Sequence, residues 1–174
     1  SFYKDLYTNR SILTFSLPIS AQEFIFAKLL VINIFFWLLV FLSVFLFYVV
    51  GIYMNIKSLL SLVFIMILVN IISLIIFLYM QMDRFLLKRK TSAFAIFIVI
   101  VLIFALGFFI NKNFLLLNSG IILKNYNYMA FIYAYIKYKG DFYINLTSFT
   151  YYILISFLLF RVNAKILRKD LDLS

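Results

Sequence analysis

The sequence predicts an all-α, polytopic integral membrane protein, and two observations lead to this fold class. First, 67 % of the 174 residues are hydrophobic and 13 % are charged, whereas a soluble domain carries about 25 % charged residues. The polar side chains are too few to cover the chain in water, so many apolar side chains must face lipid. Second, four apolar runs approach or exceed the roughly 20 residues that a helix needs to cross a bilayer.

The four apolar runs define the predicted organisation of the chain. The predicted spans, named A to D in chain order, cover about 24–50, 58–80, 92–111 and 145–162. We expect a cytoplasmic segment at 1–19 ahead of a transmembrane domain at 20–174. Within that domain, a long outer segment at 112–144 separates spans C and D, and a basic cytoplasmic tail follows at 163–174.

The basic residues predict the orientation of the spans. The N-terminal segment, the loop between spans B and C and the tail lie on one side of the membrane and carry eleven of the sixteen Lys and Arg residues. The positive-inside rule places this side, with both termini, in the cytoplasm. The abundance of Ile, Phe, Asn, Lys and Tyr is typical of an AT-rich bacterial genome, so we expect the bacterial cytoplasmic membrane. The formal charge of +10 then meets anionic lipid headgroups, and we expect no nucleic acid partner.

The outer segment is rich in tyrosine, since eight of the thirteen tyrosines fall between Tyr126 and Tyr152. Tyrosine favours the membrane interface, and we therefore expect 114–138 to form short helices on the outer headgroup layer. These helices would serve as an aromatic belt or as an outer gate over a substrate exit. The glycosylation sequon that begins at Asn145 is interpreted as chance, with Thr147 or Ser148 capping span D.

Composition excludes several kinds of chemistry. Cys and His are both absent, which removes disulfides, thiolate chemistry, Cys/His metal sites and a histidine general base. The sequence has no G-x-x-x-x-G-K-[ST] motif, so an ATP site would have to lie on a separate subunit. The middles of the spans carry no charged residue, which argues against a proton-coupled carrier, an ion pump, a voltage-gated channel and an intramembrane protease.

The start of the chain has the pattern of a short amphipathic helix on the cytoplasmic surface. Apolar and aromatic residues recur at helical spacing, with Lys4 and Asp5 on the other side. Pro18 prevents this helix from continuing, because the residue before a proline is pushed out of the α region. Ser20 and Glu23 then form a capping box that begins span A. From these residues alone, the surface helix is either a membrane anchor or a lever that transmits force into span A.

Polar residues inside the first two spans include Asn33 and Ser43 in A, and Asn70 and Ser73 in B. They either form hydrogen bonds between helices or line a polar part of a transport pathway. Asn70 and Ser73 share one helix face, which we expect to point toward another helix.

The N-terminal run resembles a segment of the permeases of type-2 ABC exporters from low-GC bacteria. The residues that carry the resemblance are Phe2-Tyr3-Lys4-Asp5-Leu6-Tyr7, Leu13-Thr14, Leu17-Pro18-Ile19-Ser20 and Lys28. It covers about thirty residues closely, and the rest of the chain agrees in span order, the long outer segment and the basic tail. In that family the segment lies between the second and third of six spans and forms a coupling helix that docks on the ATPase.

The resemblance implies a permease subunit without enzymatic activity of its own. The residues that would contact the ATPase are Phe2, Tyr3, Lys4, Asp5, Leu6, Tyr7 and Arg10, while Pro18, Ser20 and Glu23 would form the structural cap. Spans A to D would be the last four of six, and Ser1 would not be the natural start. The implied partners are an ABC ATPase subunit, which holds ATP and Mg, and a second permease copy or a homologous permease. This chain would need no cofactor.

The implied cargo comprises amphipathic peptides, drugs and other hydrophobic molecules. An alternative from another class is a non-transporting immunity or sensor subunit that binds peptides or a partner protein. A third interpretation is a channel or scaffold.

Overall fold

The fold consists of four long helices and one small antiparallel sheet. The computed structural model describes residues 20–51, 56–83, 89–110, 114–118, 121–125, 132–138 and 141–171. The helices are α1 (Ala21–Val49), α2 (Ile56–Gln81), α3 (Arg89–Ile110) and α4 (Leu146–Leu171). All four are long and apolar enough to cross a membrane, which confirms the four predicted spans. The amphipathic helix expected near the start of the chain lies outside the described residues.

The ends of α1 follow from local sequence. The Ser20 backbone is extended, and its side chain accepts a hydrogen bond from the Glu23 amide, which begins the helix. At the other end, Gly51 has a φ of +82°, a conformation that glycine adopts readily and that commonly terminates helices. The Gly51 amide donates to the Tyr48 carbonyl over 3.0 Å, so the helix stops here after 29 residues.

The sheet corrects the prediction for the segment between the last two helices. Its strands are β1 (Phe114–Asn118), β2 (Ile121–Asn125), β3 (Tyr135–Tyr138) and β4 (Asp141–Asn145), in the spatial order β2-β1-β4-β3 with every pairing antiparallel. The prediction of short helices at 114–138 is therefore wrong for the described residues, which form strands at 114–118, 121–125 and 135–138. The fold is not purely α. In sequence, Ser119-Gly120 separates β1 from β2 and Lys139-Gly140 separates β3 from β4. Two-residue breaks that contain glycine are typical of β-hairpins.

Helix α4 is the central helix of the described bundle. It contacts α1, α2 and α3, and also β1. In its most apolar stretch 39 % of the residues are buried, compared with 0 % in α1. It is also the least apolar of the four helices, since its mean hydropathy there is 1.4 against 2.8 to 3.2 for the others. A helix surrounded by other helices contacts protein, so it needs fewer lipid-compatible side chains than a peripheral helix.

Both ends of α4 differ from what the sequence suggested. The residue that caps the helix is Asn145, whose Oδ1 accepts from the Ser148 amide over 3.2 Å, and not Thr147 or Ser148. The helix also continues to Leu171, through most of the segment assigned to the cytoplasmic tail. Asn163, Ala164 and Leu167 in this extension are buried.

The buried core joins all four helices. It includes Ile25 of α1, Leu74 of α2, Ile96 of α3 and Leu167 of α4, of which Ile25 and Leu74 are fully buried. Large apolar side chains elsewhere on α1 and α3 remain exposed, such as Phe41 at 73 % and Phe109 at 72 %. Exposure of this extent on helices of such length is what a lipid-facing surface requires.

Candidate functional site

The candidate site lies along α1, beginning with the clasp at its first turn. Glu23 Oε2 accepts from the Ser20 amide over 2.8 Å, and Ser20 Oγ accepts from the Glu23 amide over 3.3 Å. Both halves of the predicted capping box are thus present, and two backbone amides that the helix leaves free find partners. Pro18 and the predicted ATPase-contact residues, from Phe2 to Tyr7 and at Arg10, lie outside the described residues.

Attachment of α1 to the rest of the protein is concentrated at this turn. Within α1, which the structure describes in full, the buried residues are Ala21, Phe24 and Ile25. Lys28, one turn further on, lies over the Phe24 ring with its Nζ 5.2 Å from the ring centre, a cation–π geometry. The first turn therefore holds α1 against the bundle, with Leu29 and Ile32 packed partly buried against the same core. Most of the helix surface beyond them is open.

Further along α1, two predicted polar residues meet. Asn70 Nδ2 of α2 donates to Asn33 Oδ1 of α1 over 3.1 Å. Asn33 lies about 18 Å along the helix from Ala21, and Asn70 about 17 Å from Gln81, at 1.5 Å per residue. The pair therefore lies near the middle of both helices, where an amide hydrogen bond has no water to compete with it in a bilayer.

The two serines predicted together with this pair donate within their own helices instead. Ser73 Oγ donates to the Val69 carbonyl and Ser43 Oγ to the Leu39 carbonyl, each over 2.8 Å within its own helix. We expected Asn70 and Ser73 to point toward a neighbouring helix. Asn70 forms a hydrogen bond with α1, whereas the Ser73 hydroxyl bonds within its own helix.

A groove of about 470 Å³ opens between α1, α2 and α4 beside the Asn pair. Its apolar wall is a stripe of α1 that includes Phe26, Leu30, Ile34 and Trp37. Its polar groups come from Asn33, from Asn70 and from Ser156 of α4. An adjoining space of about 310 Å³ shares Phe26, Leu29, Asn70 and Ser156 with it. We call the two spaces together the lateral groove.

Trp37 closes one part of the lateral groove and is the single tryptophan of the sequence. Its indole Nε1 donates to Met66 Sδ of α2 over 3.1 Å, and its ring meets Phe36 edge to face with centroids 5.9 Å apart. The sulfur is a weak acceptor, so this contact ties α1 to α2 less firmly than the Asn pair does.

Two further polar residues are buried in the second halves of α4 and α2. Asn163 is fully buried, and its Nδ2 donates to the Leu74 carbonyl of α2 over 3.1 Å and to the Leu159 carbonyl over 2.8 Å. Gln81 is also fully buried. Sequence reasoning missed both residues, although Asn163 lies seven positions after Ser156 and so on the same face of α4.

Two tyrosine hydroxyls lie inside the described structure, one on α4 and one on β3. The Tyr151 hydroxyl of α4 donates to the Ile103 carbonyl of α3. In β3 the Tyr135 hydroxyl is buried and has no hydrogen-bond partner among the described residues, and burial raises the pKa of this hydroxyl above its usual value of 10.0. Over the same residues, no group of three or more His, Cys, Asp and Glu side chains comes together in a way that would hold a metal ion.

No protein-family model, curated protein or solved structure matches this chain. Its geometry therefore has to be interpreted from its own residues: a clasped first turn, an amide pair near the middle of the helices, and an open groove with apolar walls beside that pair.

Proposed function

We propose that this chain is the permease subunit of an ABC exporter in a bacterial cytoplasmic membrane. A separate ATPase subunit binds ATP and Mg, and a second permease copy or a homologous permease completes the transmembrane pathway. The cargo is amphipathic or hydrophobic, such as a peptide or a drug. Both ends of the chain face the cytoplasm, in keeping with the distribution of Lys and Arg.

The observation that carries the proposal is the construction of α1. The predicted coupling-helix segment covers 1–19, and the Ser20–Glu23 clasp begins an unbroken helix of 29 residues directly after it. The capping box gives partners to the amides at the start of the helix, so the first turn does not fray. A push on the preceding segment is then transmitted into the helix. The fully packed residues of α1 lie in that turn, and Leu29 and Ile32 pack partly buried against the same core. The helix beyond them has more room to move relative to α2 and α4.

The lateral groove supports the same proposal. It lies beside α1 and is lined by apolar side chains with a few uncharged polar groups. A groove of this kind suits a cargo that partitions into the membrane, and movement of α1 would change its width. The energy for such movement has to come from another subunit, since the sequence has no phosphate-binding motif.

Co-purification followed by transport tests the proposal. Tagged protein isolated from its native membranes should retain a Walker-motif ATPase, and inverted vesicles should accumulate labelled hydrophobic peptide when ATP is added. Asp5→Lys and Tyr7→Ala should abolish ATP-driven accumulation, whereas Thr8→Ala, outside the predicted ATPase contacts, should retain it. Absence of an ATPase together with intact transport in both variants would refute the coupling role.

The same vesicles separate the proposal from its rivals. An immunity or sensor subunit would bind peptide to the same extent with and without ATP, and would not move it. A channel would conduct without any ATPase, and a scaffold would assemble with partners but neither bind peptide nor move it.

A further inference from the structure

One face of α4 changes from apolar to basic toward the end of the helix. Its residues follow one another by three or four positions and therefore share a face. We call this set the α4 strip, and it consists of Leu154, Phe157, Leu158, Arg161, Lys165 and Arg168. All six side chains are exposed. The α4 strip is thus an amphiphilic surface with its apolar half first and its basic half second.

The opposite face of α4 keeps the strip directed away from the bundle. Leu159, Asn163 and Leu167 on that face are buried. Asn163 Nδ2 also donates to the Leu74 carbonyl of α2 over 3.1 Å. This bond lies two residues beyond Arg161, so α4 cannot turn its basic residues toward the bundle without breaking it.

The change from apolar to basic occurs at a depth that suits a membrane boundary. Helix α4 begins at Leu146, directly after strand β4. At 1.5 Å per residue, Arg161 lies about 22 Å and Lys165 about 28 Å from Leu146, while the hydrocarbon core is about 30 Å thick. A helix that enters the hydrocarbon at Leu146 therefore leaves it close to Lys165, where the phosphates of lipid headgroups lie.

Arg161 lies at this boundary without a carboxylate partner. Its guanidinium carbon is 4.8 Å from the centre of the Phe157 ring, and in the described part of the chain it contacts no Asp or Glu. A cation at the edge of the hydrocarbon is favoured by an anion beside it, because little water is present to solvate the charge. Arg168 already has an interaction within the described residues, so Arg161 and Lys165 supply the charge that a ligand can use.

We propose that the α4 strip binds an anionic phospholipid of the leaflet at this end of the helix. The phosphate lies between Arg161 and Lys165, one turn apart, and the acyl chains lie along Leu154, Phe157 and Leu158. A free phosphate ion would use the basic half alone, and a zwitterionic lipid already balances its phosphate with the ammonium of its own headgroup. This inference goes beyond the proposed function, because it holds whether or not the chain transports a cargo.

Competition between two lipids measures this preference. The full chain, purified in a mild detergent, is mixed with equal amounts of phosphatidylglycerol and phosphatidylcholine that carry the same acyl chains, and native mass spectrometry counts each lipid retained. The wild-type chain should retain phosphatidylglycerol about thirtyfold more than phosphatidylcholine. Arg161→Gln and Lys165→Gln should each lower this ratio about fivefold, since one basic residue near an anionic headgroup contributes about 1 kcal/mol. Equal retention of both lipids by the wild-type chain would overturn the inference.

Two control variants separate the site from the total charge of the chain. Arg161→Lys keeps the charge and should keep the ratio. Lys124→Gln combined with Lys137→Gln removes two charges from the sheet and should leave the ratio unchanged. If this pair lowers the ratio as much as Arg161→Gln combined with Lys165→Gln, the preference follows total charge and the inference is overturned.

Two further measurements distinguish the phospholipid from other anions. Glycerol 3-phosphate at millimolar concentration should not displace phosphatidylglycerol, because it has no acyl chains, and displacement would indicate a site for free phosphate. If Arg161→Gln combined with Lys165→Gln releases a co-purifying protein while lipid retention is unchanged, the strip contacts a protein partner. Either result would overturn the inference.

Discussion

The hydrogen bond from Asn70 to Asn33 joins α1 to α2. The free energy of unfolding that is lost when this bond is removed follows from its surroundings. The bond is 3.1 Å long and joins two uncharged, partly buried amides. Side-chain hydrogen bonds between membrane helices contribute about 0.6 kcal/mol on average and up to about 1.7 kcal/mol. We expect a coupling energy within this range from a double-mutant cycle of Asn33→Leu and Asn70→Leu.

The two single variants should differ from each other. Asn33→Leu leaves both polar atoms of Asn70 without a partner, because Oδ1 already has none among the described residues. Asn70→Leu removes that unpaired oxygen together with the bond. Since an unsatisfied buried polar group costs about 1–3 kcal/mol, Asn33→Leu should destabilise the protein by about 1 kcal/mol more than Asn70→Leu. The double variant should approach wild-type stability, because leucine at both positions leaves no polar group unpaired.

Reversible unfolding in mixed detergent micelles measures these differences, with Trp37 emission as the probe of the contact between α1 and α2. Ser43→Ala serves as the control, because its hydroxyl bonds within α1. A coupling energy indistinguishable from zero would refute the assignment of this bond as a tie between the helices. A larger loss in Asn70→Leu than in Asn33→Leu would refute the reasoning about the unpaired oxygen.

Four further changes have expected outcomes. Ser20→Ala should cost about 1 kcal/mol and accelerate hydrogen exchange of the Glu23 amide, while Glu23→Gln, which keeps an acceptor at this position, should leave that exchange nearly unchanged. Asn163→Asp should lower the detergent unfolding midpoint far more than Asn163→Leu, because a buried carboxylate would lose both donated hydrogen bonds and its hydration. Tyr151→Phe should cost about 0.5–1.5 kcal/mol by removing the bond to the Ile103 carbonyl, and equal stability would contradict that contact. Tyr135→Phe should leave stability unchanged or raise it, because the lost hydroxyl has no partner among the described residues, and a clear loss would indicate a partner.

Features that depend on local sequence could be predicted. The four helices follow from long apolar runs, since a backbone in hydrocarbon must satisfy its own hydrogen bonds. The capping box follows from the residue types at Ser20 and Glu23, whose side chains reach only a few positions along the chain. A hydrogen bond between helices was one of the two alternatives for Asn33 and Asn70, the other being the lining of a polar pathway. Neighbouring antiparallel helices place these two residues at the same depth in the membrane.

Features that depend on tertiary contacts could not be predicted in this way. The tyrosine-rich segment was assigned to interfacial helices because its composition suits the membrane interface, but composition does not distinguish a helix from a hairpin there. The glycine-containing breaks at Gly120 and Gly140 carried the information that was overlooked. Asn163 was assigned to a tail because Arg161 ends the apolar run, whereas α4 packs against α2 beyond that point and buries Asn163 there.

The resistance of α1 to movement depends on few contacts. In a bilayer, an apolar side chain gains little by leaving lipid for protein, so the exposed length of α1 adds little to its attachment. The contacts that hold α1 include the packing of Ala21, Phe24 and Ile25, with Leu29 and Ile32 partly buried beside them. The weak contact of Trp37 with Met66 and the Asn33–Asn70 bond add to these. Consider one arrangement in which α1 contacts α2 and another in which it has separated from α2. If that bond contributes about 1.4 kcal/mol, its loss raises the population of the separated arrangement relative to the other about tenfold. Asn33→Leu should therefore increase the population in which α1 has separated from α2.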